Sequence, residues 1–322
     1  SVIAKIKMKN QDIFLGIDLG GTKIEIIALI LSGETLYQTR TPTPKHTNAK
    51  QQYQLILSTI NQLITACEAE LKRSNLPIGI GLPGAISLKT GLIKNANTTC
   101  LIGENFHKDL QDKLHRKVVL ENDANCFALS EALDGAGKGE SCVFGVILGT
   151  GVGSGIVING RLLVGANAIA GEWGHNPLPW PSEKDEPKQV CYCGQPGCIE
   201  TYLSGPGFQQ QSQMQLNTSL SCQQLFSQQK TQPIARLAYE LYVERLAKSL
   251  ASIINIIDPN IIVLGGGLSN IDSLYIDVPK RWHKYVFSDE INTKLVKNQY
   301  GDSSGVRGAA WLTRKLKPSE QG

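Results

Sequence analysis

Four groups of residues in this 322-residue chain have the types and spacing to do chemistry. The first is Asp18-Leu19-Gly20-Gly21-Thr22-Lys23, and a second glycine turn, Gly149-Thr150-Gly151-Val152-Gly153, repeats its character further along. Glycine lacks a Cβ and accepts positive φ, so backbone N–H groups can converge on phosphate oxygens in such turns. Neither is a Walker A loop or a GxGxxG opening a helix, because each runs on into a strand. A plain β-hairpin is the alternative for either turn taken singly; the pair, with Asp18 ahead of the first, favours a polyphosphate. Asp18 suits a turn cap or, beside bound phosphates, a partner of Mg²⁺, which takes one or two carboxylates plus phosphate oxygens. Lys23 closes the turn and counts among the phosphate-side residues, not as a catalytic group.

Asp123 follows Glu121-Asn122 at the end of an apolar run, Val118-Val119-Leu120. Open α/β sheets place ligands at the carboxyl ends of their strands, and a carboxylate there can accept the proton of an attacking hydroxyl. The same residue also suits an N-cap for the helix that begins at Ala124. The fourth group is Gly171-Glu172-Trp173-Gly174-His175 followed by Cys191-Tyr192-Cys193-Gly194-Gln195-Pro196-Gly197-Cys198-Ile199-Glu200. Three cysteines and a histidine make a closed tetrahedral zinc site of the structural kind, with no open position for hydrolytic water. Reduced thiols clustered by chance are the alternative. Glu172 and Glu200 flank the ligands, so a formed zinc loop would present both carboxylates to sugar hydroxyls; alone, either is a surface charge.

These groups need a scaffold, and the apolar pattern supplies one. Ile13–Ile17, Ile24–Leu31 and Glu34–Arg40 read as a meander of strands around the first turn. Tyr53, Leu57, Ile60, Ile64, Cys67 and Leu71 share one helical face. Pro77–Leu82 returns as a strand that ends at Pro83-Gly84. Val143–Leu148, the second glycine turn and Ile156–Ile158 repeat the strand, turn and strand order, closing on an Asn159-Gly160 hairpin. Leu246, Leu250, Ile253 and Ile257 form a helical stripe that stops at Asp258-Pro259, before the strand Ile261–Leu264 and Gly265-Gly266-Gly267. The Gln- and Ser-rich stretch from Gln209 to Gln229 reads as solvated surface without chemistry. Length favours two domains, with a cleft between them as the expectation. Lys and Arg number 32 against 28 acidic residues, which argues against a nucleic-acid partner. Without a secretory h-region or a bilayer-length apolar run, a cytoplasmic soluble protein with no membrane partner is expected.

In this order the motifs resemble those of the ROK family of bacterial sugar kinases, from about Phe14 to Trp311. The resemblance rests on Asp18-x-Gly-Gly-Thr-Lys23, Glu121-Asn-Asp-Ala-Asn125, Leu148-Gly-Thr-Gly-x-Gly153, Gly171-Glu-x-Gly-His175, Cys191-x-Cys-Gly-x-x-Gly-Cys-Ile-Glu200 and Gly265-Gly-Gly267. It implies an actin/hexokinase-like, ribonuclease H-like α/β fold of two domains closing around ATP and a hexose. The expected division is a small domain over 1–120, joined by a C-terminal helix at about 305–322, and a large domain over 121–304. By matching positions, Asp123 would activate the sugar 6-hydroxyl. Gly84, Asn122, Glu172, His175 and Glu200 would lie against the sugar. Asp18, Gly20, Gly21, Thr22, Lys23, Gly149, Thr150, Gly151 and Gly153 would serve MgATP, and Gly265, Gly266 and Gly267 its adenosine. His175, Cys191, Cys193 and Cys198 would hold zinc, so His175 would serve both metal and sugar. A homodimer is what the family suggests.

Glu172–Trp180, Lys94–Asn97 and Gly301–Trp311 look most like the bacterial fructokinase that also accepts mannose. N-acetylglucosamine kinases and glucokinases of the same family are the alternatives. The family also includes sugar-responsive transcriptional repressors with an N-terminal winged helix; the 12 residues ahead of Ile13 are too few for one.

Overall fold

The computed structural model describes residues 12–96 and 98–316. Residues 1–11, Asn97 of the Lys94–Asn97 motif and residues 317–322 of the expected C-terminal helix lie outside the described residues. Two compact units form, one running to Ser130 and resuming at Asp302, the other spanning Glu131–Gly301.

In the first unit, β1 (Ile13–Leu19), β2 (Lys23–Ile30) and β3 (Thr35–Pro42) make an antiparallel meander. Next come α1 (Ala49–Leu71), β4 (Ile78–Leu82), the small hairpin β5 (Ala85–Ile86) with β6 (Ile93–Lys94), α2 (Phe106–Leu114), β7 (Val118–Asn122) and α3 (Asp123–Leu133). The sheet order is β3-β2-β1-β4-β7, with β4 parallel to β1 and to β7. The unbroken apolar runs of β1 and β2 suit strands covered on both faces. On one face α1 buries Tyr53, Leu57, Ile60, Ile64 and Cys67, as its spacing predicts, while Asn48 caps it by accepting from the Gln51 N–H.

The second unit repeats this plan. β8 (Cys142–Leu148), β9 (Val152–Ile158), β10 (Arg161–Leu162), β11 (Ile261–Gly265) and β12 (Lys294–Lys297) are ordered β10-β9-β8-β11-β12. Directions match as well: β8 is antiparallel to β9 and parallel to β11, which is parallel to β12. Both glycine turns therefore join the first two strands of their own sheets. The helices α4 (Gly205–Leu216), α5 (Cys222–Ser227) and α6 (Pro233–Ile257) lie between β10 and β11 in sequence. The last ends at Asp258 in a left-handed conformation before Pro259.

Two sequence expectations change. The Gln209–Gln229 stretch is not plain solvated surface. It forms α4 and α5, which bury Phe208, Gln211, Ser212, Leu225 and Phe226. Phe208 packs against Phe226 at 4.8 Å and meets Tyr242 of α6 edge-on at 4.9 Å, and Ser204 and Ser221 cap the two helices. Two aromatics among many glutamines leave little apolar periodicity to read. The division between units also falls after Ser130, not after residue 120, because β7 continues through Asn122 and the start of α3 packs in the first unit. There a Cβ on Gly308 would stand 1.7 Å from the Cys126 carbonyl oxygen. Gly308 belongs to α7 (Ser304–Leu312), the helix that returns to the first unit and covers β1 and β4. A Cβ on Gly16 or Gly79 would lie 2.3 Å or 1.9 Å from the α7 backbone, so glycine at these positions sets how closely helix and sheet approach. Phe14 and Trp311 close the seam with ring centroids 5.5 Å apart.

Candidate active site

In the first unit, Asp18 sits at the end of β1, opposite Glu25 of β2. A Cβ on Gly305 would lie 3.5 Å from its Cγ, and one on Gly81 would lie 3.7 Å from its Oδ1, so glycines border the carboxylate on two sides. Burial, then the charges of Asp123 and Glu25, push Asp18 up to about 7 against the pull of Lys23. A half-buried acid under this field suits a divalent cation, which would relieve the repulsion. Lys23 pairs with the buried Glu25 at 3.2 Å, so its ammonium is tied to the sheet.

Asp123 is exposed where β7 gives way to α3. Its Oδ1 accepts from the Ala124 N–H at 2.8 Å. The cap of α3 is Asn122, whose Oδ1 accepts from the Asn125 N–H at 2.7 Å in the usual capping pattern. Glu121 fixes this corner by accepting from the Asn122 N–H and from Asn125 Nδ2, both at 2.9 Å. Gly84, at φ +108°, follows β4 where a Cβ would stand 2.7 Å from the Lys94 carbonyl oxygen.

The turn glycines do not take the positive φ that the sequence leads one to expect. Gly20, Gly21, Gly149, Gly151 and Gly153 are all absent from the positive-φ glycines of the structure. What they contribute is the missing Cβ: at Gly20 it would stand 2.9 Å from the Lys23 carbonyl oxygen, and at Gly151 2.9 Å from Glu200 Oε2. Gly153 is not part of the second turn. It lies within β9 opposite Ile147, because the strand begins at Val152.

In the second unit, Glu200 Oε2 accepts from the Val152 N–H at 2.8 Å, and Gly149 accepts from the Gly205 N–H at 2.8 Å. A cavity of about 890 Å³ opens beside this turn, lined by Gly149, Thr150, Gly205, Gln209, Gln213 and Gly267 among others. Of the glycine triplet only Gly267 reaches it. Gly265 ends β11 opposite Ile147, and Gly266, at φ +79°, presses on Leu148, whose carbonyl oxygen is 2.4 Å from where a Cβ would stand. Gln209, Gln210 and Gln213 are lining residues that sequence reasoning misses, since glutamines on a polar helix carry no motif.

The Gly171–His175 segment lies directly on β9. A Cβ on Gly171 would be 2.5 Å from the Ser154 carbonyl oxygen, and one on Gly174 2.5 Å from that of Val152. Trp173 is buried against Phe144 at 5.5 Å, leaving Glu172 exposed and His175 half-buried. His175 Nδ1 lies 3.5 Å from Cys191 Sγ, and Cys193 Sγ lies 3.6 Å from Cys198 Sγ. Zinc bonds of about 2.3 Å to sulfur and 2.0 Å to nitrogen give tetrahedron edges of about 3.5–3.8 Å. The four ligand atoms, all within 4.8 Å of one another, therefore fit zinc. Backbone N–H donation from Gln195 and the neighbouring thiols lower Cys193 to about 7, whereas burial lifts Cys198 to about 12. The other ring nitrogen of His175, Nε2, sits 3.0 Å from the Tyr192 hydroxyl.

Sequence spacing gives no sign of what anchors the loop between His175 and Cys191. Buried Asp185 receives Arg245 Nε at 2.9 Å and Lys248 Nζ at 2.7 Å, both from α6. Burial raises the Asp185 pKa, but these two cations and the Ser182 N–H overcome it and hold the carboxyl below its usual range. Lys248 also donates to the Trp180 carbonyl, and Arg245 to that of Lys184.

No helix among the described residues is long and apolar enough to cross a membrane. The sequence model of the ROK family matches residues 14–316. An N-acetyl-D-glucosamine kinase of Photobacterium profundum is 39% identical over 94% of this chain and 99% of its own length. One from Vibrio atlanticus is 38% identical over 94% of this chain and 100% of its own. Among solved structures, the ROK hexokinase of Thermus thermophilus aligns with a TM-score of 0.79 at 28% identity, covering 95% of this chain and 100% of that one. The fold expected from the sequence, actin/hexokinase-like with two α/β units, is the fold found. A family match over nearly the whole chain, together with relatives above one-third identity, establishes that the chain belongs to the ROK family.

Proposed function

We propose that the chain is an ATP-dependent hexose 6-kinase whose sugar is N-acetyl-D-glucosamine. The observation that carries the kinase reading is the pair Asp18 and Asp123, two acids at strand ends of one sheet, close enough for the charge of Asp123 to raise Asp18. In this reading Asp123 accepts the 6-hydroxyl proton as the O6–P bond forms and the bond from Pγ to the β,γ-bridging oxygen breaks, with ADP leaving. Asp18 would hold the Mg²⁺ that accompanies the nucleotide, a cation whose chemistry there would be to offset phosphate charge. The N–H groups of the two turns take phosphate oxygens, and the cavity beside Thr150 and Gly267 takes the nucleoside. Asn122, Glu172, His175 and Glu200 bind sugar hydroxyls, with Gly84 close by. Zinc on His175, Cys191, Cys193 and Cys198 would fix the loop that carries Glu172 and Glu200.

The choice of sugar follows the similar proteins, whose names favour N-acetyl-D-glucosamine over the fructose expected from the sequence. Fructose, with mannose, stays as the second reading because Glu172–Trp180 resembles the fructokinase segment. Steady-state rates with N-acetylglucosamine, fructose, mannose and glucose in a coupled ADP assay decide between them. The proposal expects the highest kcat/KM for N-acetylglucosamine; a higher value for fructose would reverse the order, and no ADP release with any sugar would reject the kinase reading.

A further inference from the structure

We propose that Thr43 and Lys45, just beyond β3, are positioning residues that hold the first glycine turn in its phosphate-accepting form; this rests on the kinase reading above. Every carbonyl of the turn is committed. Gly20 accepts from Thr43 Oγ1 at 2.7 Å, Gly21 from Lys45 Nζ at 2.7 Å, and Thr22 from the Thr43 N–H at 2.9 Å. Lys23 accepts from the Gly20 N–H at 2.9 Å.

Three consecutive carbonyls are thus drawn to one short segment. In a trans peptide the C=O and the following N–H point in opposite directions. The N–H groups of Gly21, Thr22 and Lys23 are therefore turned away from Thr43 and Lys45, and successive N–H groups aimed outward make an anion-binding concavity. The turn glycines take no positive φ, so the bonds from Thr43 and Lys45, and not a left-handed glycine, mark how the turn is held. Thr43 is buried, whereas Lys45 is exposed and brings a positive charge beside the turn. A further sign of a ligand here is Thr98. Its buried Oγ1 lies 3.8 Å from where a Cβ on Gly21 would stand and has no hydrogen-bond partner among the described residues.

The test uses the full chain with Thr43→Val, Thr43→Ser, Lys45→Met and Lys45→Arg. Two readouts are compared: KM for ATP against KM for the hexose, and the calorimetric Kd of inorganic tripolyphosphate, which engages a phosphate cradle without a base or sugar. Thr43→Val and Lys45→Met each remove one hydrogen bond, so ATP KM and tripolyphosphate Kd should rise about tenfold while hexose KM stays within about twofold. The Ser and Arg variants should return both constants to within about twofold of the parent. Unchanged constants in Lys45→Met, or a hexose KM that rises as much as the ATP KM, would overturn the proposal. Lys45 is exposed, so Lys45→Met decides alone if Thr43→Val does not fold. A parent protein that phosphorylates no hexose would defeat the kinase reading, while the tripolyphosphate arm still reads the turn; a parent that binds no tripolyphosphate would defeat the strap.

Discussion

The two glycine turns occupy the same place in two sheets of the same strand order, yet they are held by different means. The first turn is tied by its carbonyls to a segment beyond β3, through Thr43 and Lys45. The second is tied to residues from beyond Cys198, by Glu200 on the Val152 N–H and by the Gly205 N–H on Gly149. Asp18 in β1 stands where β8 carries Ile147, each one residue before the leucine that ends its strand. One architecture thus appears twice, with Asp18 and Asp123 in the first unit and Glu172, Glu200 and the cluster of His175 with three cysteines in the second. Strand topology alone does not distribute function; the residues grafted at equivalent corners do.

Making the first corner resemble the second should have the largest effect. Asp18→Asn is expected to lower turnover about a hundredfold or more, because the carboxylate that draws in the cation is gone. Stability should move the other way. The fold holds Asp18 protonated up to about pH 7, whereas an unfolded aspartate ionises near 3.8, so the parent loses stability as pH rises through that window. Thermal melts should show the variant more stable than the parent at pH 8, with the gap closing as pH falls towards 4. A variant less stable at pH 8 would contradict the raised Asp18.

The next effect concerns the loop that only the second unit has. Asp185→Asn leaves Arg245 and Lys248 buried without their acid, and urea unfolding should report a loss of about 3–5 kcal/mol. Elemental analysis should find about one zinc per chain, as four closed ligands require. Chelation should raise the hexose KM before it raises that of ATP; folded, active protein without metal would remove zinc from the account.

The smallest effects separate the glycines of the second turn. A Cβ at Gly151 meets Glu200 Oε2 at 2.9 Å, whereas at Gly149 it meets nothing within 4 Å. Gly151→Ala should displace the Glu200 carboxylate and raise hexose KM about tenfold, and Gly149→Ala should stay within about twofold. Equal effects would mean that the turn responds to backbone freedom and not to the space beside Glu200.

Much of the scaffold is legible in the sequence. The apolar runs of β1, β4, β8 and β11 and the α1 stripe record burial directly, and Cys191, Cys193 and Cys198 are close in sequence because one tight loop carries them. What escapes is set by backbone or by distant partners. Thr43 and Lys45 act on carbonyl oxygens, which no side-chain pattern encodes. Asp185 meets Arg245 and Lys248 only because α6 passes beneath its loop, and Gln209 and Gln213 reach a cavity only through the packing of Phe208. The alternative role of helix cap, open for Asp123 from sequence, goes to Asn122, one residue earlier.

Asp123→Asn decides whether Asp123 is the base of a hexose 6-kinase. With the sugar that the parent turns over fastest, phosphorus NMR should show hexose 6-phosphate from the parent. The variant should bind that sugar with similar affinity by calorimetry and form product about a hundredfold or more slowly, as loss of a general base requires. Product formed at a near-parental rate by Asp123→Asn would mean that another group takes the proton.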